Sequence, residues 1–389
     1  MSNVSSSNSQ GVRVPKLRFP GFEGEWECVQ FSDLFTYLSN NTLSRAELSN
    51  SGEVRNIHYG DVLIKYGDVI DIEHTVVPYV ADVASLKKPD YLHTGDVVIS
   101  DTAEDETVGK AVEIINTTKA AIVSGLHTIP CRPKRQFIPS YLGYYINSLP
   151  FHTQLFPYMQ GIKVTSISKR NIGRTYISFP TLDEQHKITR MLNLLSSRIE
   201  KQRQLMEALK SYKRGFQQAI FGQISSYIKL KDLISFEPKS TIAAGDSCDN
   251  GKYVLYRSGQ KDGRTKNYTH NGIYIIANDG GEANFKLTNG SFSYTDHCIC
   301  FKSSNDYSTI LLFNYLQMIA ARITYEGFVG SGLKNIDRQY FNNLKIPIIE
   351  NSQDIAKILI TLDKYLEENI TLLNNLLLIK TALLQQLFI

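Results

Sequence analysis

One long helical pattern occurs twice in this chain at a fixed offset, and it limits the possible folds more than any other feature. Pro180 precedes a run ending at Ile220-Phe221, and Pro347 precedes one ending at Leu387-Phe388, a shift of 167 residues at both ends. Within the runs Ile188, Leu192, Leu195, Ile199, Met206, Leu209 and Ile220 fall on Ile355, Leu359, Leu362, Leu366, Leu373, Leu376 and Leu387. Steps built from three and four residues make this a helix seam. Its interruptions repeat too, since Gln202 falls on Asn369 and Lys213 on Lys380. Each run covers about 38 residues, or about 57 Å of helix, far beyond the usual three turns. Two such helices expose too much apolar surface to stand alone, so they are expected to pair. In an antiparallel pair Gln202 and Asn369 meet near mid-helix. A hydrogen bond between them would fix the register, whereas at the edge of the seam both would be solvated.

Upstream of each helix lies a segment of alternating apolar residues and Gly-rich turns. Strands are expected at Asp61 to Lys65, Asp96 to Ser100 and Ala120 to Ser124 in the first, and at Ile273 to Asn278 and Cys298 to Lys302 in the second. Val29-Gln30-Phe31-Ser32-Asp33-Leu34 resembles Ile228-Lys229-Leu230-Lys231-Asp232-Leu233 at a larger shift, so the first segment is the longer. Thr181-Leu182-Asp183-Glu184 has the form of a capping box at the start of the first helix. The expected fold class is α+β: two globular α/β domains separated and joined by two long antiparallel helices in a pseudo-twofold repeat. Its parts are a tail over 1–14, a domain over 15–180, a central helix over 181–222, a second domain over 223–347 and a final helix over 348–389. The helices are alike and the globular segments have diverged, which suits one scaffold carrying two different modules at opposite ends, with helix length fixing their separation.

A chain of 389 residues with 42% hydrophobic and 21% charged residues has the balance of a folded protein of two or three domains. A net charge of +4 and a pI near 8.6 permit nucleic-acid binding without requiring it. The five cysteines, Cys28, Cys131, Cys248, Cys298 and Cys300, show no framework spacing and fit a reducing, cytoplasmic setting. Met1 to Gly11 lacks the apolar core of a secretory signal. The richest apolar run, Leu372 to Leu387, is interrupted by Asn374, Asn375, Lys380 and Gln385, and reads as an amphipathic helix with no membrane partner.

Taken together, the chain resembles the specificity subunits of type I restriction-modification systems. The resemblance rests on Pro15-Lys16-Leu17-Arg18-Phe19-Pro20-Gly21-Phe22 with Trp26, on Gly60-Asp61-Val62, Gly95-Asp96-Val97-Val98 and Val123-Ser124-Gly125-Leu126, and on Asp183-Glu184-Gln185. It rests as well on a twice-used order of Gly-x-Lys, polar loop, Pro and long helix: Gly161-Ile162-Lys163 to Pro180, then Gly332-Leu333-Lys334 to Pro347. The second copy has Asn351-Ser352-Gln353-Asp354 at the helix start, a departure from the pattern. The family implies two target-recognition domains, each reading one half of a bipartite, asymmetric site in double-stranded DNA. It also implies helices that set the spacer and hold two modification (methyltransferase) subunits, with restriction (motor-nuclease) subunits joining through the complex. S-adenosylmethionine, ATP and Mg²⁺ would belong to those partners, with no cofactor and no catalytic residue in this chain.

The residues agree with that division of labour. Adenine methylation calls for an Asn/Asp-Pro-Pro-aromatic loop, and the chain has no Pro-Pro; nor has it a G-x-x-x-x-G-K-[ST] phosphate loop. The acidic run Asp101 to Glu106 with Lys110 lacks a compact carboxylate-x-lysine element and reads as a solvated loop. His297, Cys298 and Cys300 lack a second ligand pair for zinc. His58, His127 and His270 have no evident triad partners, and are core, surface or base-contacting residues. A nuclease with an unrecognised site and a coiled-coil scaffold without DNA are the competing readings.

Donor-rich segments are the candidates for DNA contact. In the second domain these are Arg257, Ser258, Gln260, Lys261, Arg264 and Lys266, unless the segment is only a charged surface hairpin. Lys163 and Lys334 occupy matching loops suited to a phosphate clamp. In the first domain the candidates are Tyr59, Lys65, Tyr66, Lys110 and His127, the tyrosines having packing as the alternative. Met191, Leu205, Tyr212, Leu372, Leu377 and Ile379 widen the apolar face of the helices beyond the seam. They serve partner-subunit docking or pack on the chain's own domains.

Overall fold

A computed structural model describes residues 13–117, 120–161, 164–222, 224, 226–332 and 334–389. The chain is α+β and divides into two compact units, Met1–Lys201 with Leu373–Ile389, and Gln202–Leu372. The two long helices are Leu182–Gly222, 41 residues, and Ser352–Leu387, 36 residues. Each unit therefore contains one globular domain and a part of both helices.

The first unit is built on a five-stranded sheet in the order Phe35–Tyr37, Thr128–Pro133, Val97–Ser100, Ala111–Ile115, Val69–Asp71. Its strands run antiparallel except for the last pair. Beside it lies a four-stranded sheet in which Ala121–Ser124 pairs parallel with Val54–Ile57. Val97, Ile99, Ala111, Ile129 and Cys131 face a core completed by the helix Tyr141–Ile146 and by Ile188, Leu192, Leu387 and Phe388 of the long helices and the chain end. The helix segments pack antiparallel here, with Tyr145 Oη donating to Ile389 O at 2.7 Å and Leu17 N to Gln386 O at 2.9 Å.

The second unit repeats the scheme with shorter sheets. Ile234–Phe236, Cys298–Ser303, Ile275–Asn278 and Phe285–Leu287 form one, and Tyr253–Tyr256 again pairs parallel with a later strand, Ser291–Tyr294, in the other. Phe221 packs on Tyr315 of the helix Asp306–Met318, and Phe216 lies among Ile310, Leu311, Ala356 and Leu359.

Several local expectations change. Asp61 to Lys65 is not a strand: Tyr59–Ile64 is a helix, started by His58 Nδ1 accepting from Gly60 N and by Arg45 gripping the Asp61 carboxylate. Val62 is wholly buried and Ile64 is 89% exposed, so its apolar residues do not share one sheet face. The Glu184 carboxylate is held by Arg18 at 2.8 Å through both oxygens, which supplants its role in a capping box. The entry strands also repeat at a different shift from the helices. Val29 pairs with Ile177 and Ile228 with Ile346, an offset of 169 residues against 167 for Gln202 and Asn369. The two extra residues are absorbed before the second helix, where Asn351 takes a φ of 55°.

Candidate nucleic-acid interface

In the first unit the polar residues gather where two central strands end. Thr128 pairs with Ser100, so the next residues outward, His127 and Asp101, stand side by side. His127 has a φ of 55°, and its Nδ1 lies 3.3 Å from Asp101 Oδ1 and 3.5 Å from Thr102 Oγ1. The Tyr59 ring meets His127 edge-on at 5.4 Å and packs on His58 at 4.7 Å. Burial, then the neighbouring Arg45 guanidinium, holds the His58 pKa below the ordinary imidazole value. His58 is thus a neutral acceptor for the helix start, while His127 is half exposed. Arg45 forks onto Asp61 at 2.7 and 2.9 Å with an exposed guanidinium. No periodicity or motif marks Arg45, and sequence reasoning missed it.

The other candidates of this domain are dispersed. Tyr66 is not a contact residue: its ring is buried with Ile57, Val62 and Ile70. Lys110 Nζ is turned inward to the carbonyls of Leu63 at 2.7 Å and Tyr66 at 3.3 Å, so it braces the helix Tyr59–Ile64 instead of reaching outward. Lys65 is exposed but donates to Val76 O at 2.7 Å. Lys163 lies outside the described residues.

In the second unit the segment Arg257 to Lys266 forms a turn and the edge strand Gly263–Thr265. The turn is pinned by Lys286, whose Nζ donates to Arg257 O (2.9 Å), Gly259 O (2.7 Å) and Asp262 Oδ1 (2.6 Å). Gly263 is required because a Cβ there would lie 2.9 Å from the Arg257 guanidinium and closer still to the Ser247 hydroxyl. Arg257 Nε and Ser258 are thereby drawn inward, while Gln260, Lys261, Arg264 and Lys266 remain exposed. Val254 pairs with Arg264, and strand alternation puts Lys252, Arg264 and Lys266 on one face. Arg264 Nη1 donates to Lys252 O at 3.4 Å. Lys252, with Tyr253 and Tyr268 stacked edge-on at 4.9 Å, extends this basic and aromatic surface beyond the residues singled out from sequence. Lys334 is exposed in its loop and its carbonyl accepts from Gly281 N at 2.8 Å.

The helix positions divide likewise. In the first unit Met191 packs against the domain's own core, so it is withdrawn from docking, and Leu377 is half-buried. Ile379 there, and Leu205, Tyr212 and Leu372 in the second unit, are exposed. Leu194 and Leu378 in the first unit and Ile358, Ile360, Tyr365 and Ile370 in the second add to that exposed apolar surface. The second long helix contains an 18-residue stretch apolar enough to cross a membrane by composition, only 6% of it buried.

Among the described residues no group of three or more His, Cys, Asp or Glu is placed to hold a metal ion. Cys298 and Cys300 sit on a buried strand where burial raises both thiol pKa values, and His297 turns to Asp279 at 3.5 Å. In the acidic run, Asp105 binds the backbone and hydroxyl of Thr107.

Residues 23–211 and 225–377 match the family described as type I restriction modification DNA specificity domain. A chain of Methanocaldococcus jannaschii, named as the MjaX specificity subunit of a type I restriction enzyme, is 22% identical over 383 residues, 88% of each chain. The fold is similar to that of a type I restriction-modification S subunit from M. genitalium, with a TM-score of 0.67 at 14% identity over 96% of this chain and 99% of the other. A chain from a structure of type I system assembly and conformational transition aligns with a TM-score of 0.52 at 12% identity, covering 93% and 97%.

Proposed function

The chain belongs to the type I restriction-modification DNA specificity family, a non-catalytic role, and from that premise we propose that its two globular domains read the two halves of one bipartite DNA site. The observation that carries this is the duplication itself. Each unit repeats the same strand pairing and helix packing, yet the loops at the strand ends differ, His127 and Tyr59 in one and the Arg257 to Lys266 hairpin in the other. Two different surfaces on one repeated scaffold suit an asymmetric target, with the helical residues between them setting the spacer.

Exposed Lys252, Lys261, Arg264 and Lys266 supply the phosphate attraction on which duplex affinity rests. The exposed apolar helix residues dock modification subunits, one copy for each repeat. S-adenosylmethionine, ATP and Mg²⁺ act in those partners and in the restriction subunits, and the complex works in the cytoplasm.

The test is methylome sequencing of cells expressing this chain with a type I modification subunit, compared with cells expressing that subunit alone. New N6-methyladenine confined to one bipartite motif supports the reading. Absence of new methylation, with the complex shown to form, overturns it.

A further inference from the structure

The two globular domains differ in sequence and in loop length, yet one pair of side chains recurs at the same place in both. In the first, Asp101 follows the strand Val97–Ser100 and His127 precedes Thr128–Pro133, with Ser100 paired to Thr128. In the second, Asp279 follows Ile275–Asn278 and His297 precedes Cys298–Ser303, with Asn278 paired to Cys298. The aspartate N donates to the histidine carbonyl at 3.1 and 3.2 Å, and Nδ1 meets the carboxylate at 3.3 and 3.5 Å. The aspartate carbonyl accepts from Ile167 N in one and Ile336 N in the other, both at 2.9 Å. These isoleucines lie just beyond Gly161-Ile162-Lys163 and Gly332-Leu333-Lys334. Both imidazoles are accessible, with side chains 48% and 68% exposed. The residues leading into each histidine, Ser124-Gly125-Leu126 and Tyr294-Thr295-Asp296, have nothing in common.

We propose that His127 and His297 are matched, proton-dependent contacts to the DNA phosphate backbone, one in each domain; this rests on the reading of both domains as DNA readers. A group shared by two surfaces of different sequence preference meets what all duplex DNA shares, and that is phosphate. With Nδ1–H given to the carboxylate, a neutral imidazole presents Nε2 only as an acceptor. Nε2 donates to a phosphate oxygen once the ring is an imidazolium, the form favoured by a neighbouring carboxylate and by the phosphate itself. Binding therefore takes up a proton at each site. His127 is faced by Asp101, the Thr102 hydroxyl and Tyr59, with His58 behind the tyrosine. His297 is faced by Asp279, with Asp296 adjacent in sequence and Lys334 on the neighbouring segment.

The experiment is anisotropy titration of the full chain with a fluorescein-labelled random-sequence duplex at low salt, from about pH 5.5 to about pH 8. Affinity should fall as pH rises, with a limiting slope approaching two decades per pH unit where both histidines titrate. His127→Gln and His297→Gln should each remove about half of that slope, and the double variant should flatten it with unchanged melting temperature. The salt dependence of the wild type should be steeper at low pH, by about 0.9 per added phosphate contact. A double variant that keeps the wild-type pH profile overturns the proposal, and a loss confined to one histidine overturns the matched assignment. A chain that binds no duplex at any pH would instead sink the DNA-reading premise, a distinct result.

Discussion

Gln202 Nε2 stands 2.7 Å from Asn369 Oδ1, with the two residues 3% and 6% exposed. Asn369 also donates from Nδ2 to Tyr365 O at 2.7 Å, so its amide is satisfied on both sides. Gln202→Leu alone strands the buried Asn369 oxygen and should cost about 1–3 kcal/mol. Replacing both by Leu should restore or exceed wild-type stability, because two matched apolar groups leave nothing unpaired. Register should be what suffers, seen as a broadened spacer in the methylation motif. Thermal melts in which the single and double variants lose equal stability would refute the pairing.

The second recurring interruption of the seam is also paired. Lys380 Nζ lies 2.6 Å from Asp68 Oδ2, both mostly buried, and Lys213 is bonded to Asp363. Asp68→Asn leaves the Lys380 ammonium half-buried with a weaker acceptor, and a loss of about 2–3 kcal/mol is expected from the unpaired charge. Adding Lys380→Met to that variant should recover most of it. Chemical denaturation of the three proteins decides: no recovery in the double variant means the lysine contributes mainly by packing its stem.

These two pairs show how far the sequence could be read. Helix existence, length and phase follow from a period, and a period survives the loss of all other information, so even its polar exceptions could be aligned. Their partners differ in legibility. Asn369 is related to Gln202 by the repeat, but Asp68 comes from a loop more than three hundred positions from Lys380, and local pattern does not encode it. The same holds for Arg18 taking Glu184 and for Arg45 turning Asp61 to Lys65 from a plausible strand into a helix. Among contact candidates, residue type located the exposed hairpin lysines and arginine. It could not show that Tyr66 is core or that Lys110 points at two carbonyls, because burial is settled by long-range packing.

Glu113 supplies a pH signature of the first unit. Its carboxylate, 1% exposed, accepts from Ser140 N at 2.7 Å and Gly143 N at 2.8 Å at the start of the helix Tyr141–Ile146. Burial outweighs those hydrogen bonds and pushes its pKa up to about 7. A carboxyl raised in the folded state contributes stability that is fully present below its unfolded pKa, about 4.3, and lost as pH rises through the folded value. The first unit should therefore lose up to about 3 kcal/mol from this group between about pH 4.5 and pH 8. Glu113→Gln should reduce that pH dependence while costing about 1–3 kcal/mol at low pH, since its NH₂ cannot accept from a backbone N–H. Melting curves across the range check it: a variant with the wild-type pH slope would remove Glu113 as the source.

The hairpin of the second unit should act through charge in a way that sequence preference does not disguise. Lys252, Arg264 and Lys266 share one face and Lys261 caps the turn, all exposed, so neutralising them leaves the core beneath untouched. If each meets one phosphate, every substitution to Gln lowers the slope of log affinity against log salt by about 0.9. It should also weaken cognate and random duplexes by a similar factor. Gln260, uncharged and at the same turn, should behave oppositely when changed to Ala: little effect on the salt slope, with a loss of discrimination at one position of the second half-site, about 1–3 kcal/mol if it holds a base edge through both ends of its amide. Salt titrations of the complex with its modification subunit, on the methylated motif and on a scrambled duplex, separate the two behaviours. Lysine and arginine variants that leave the salt slope unchanged would show that the hairpin faces solvent and that the second domain meets DNA elsewhere.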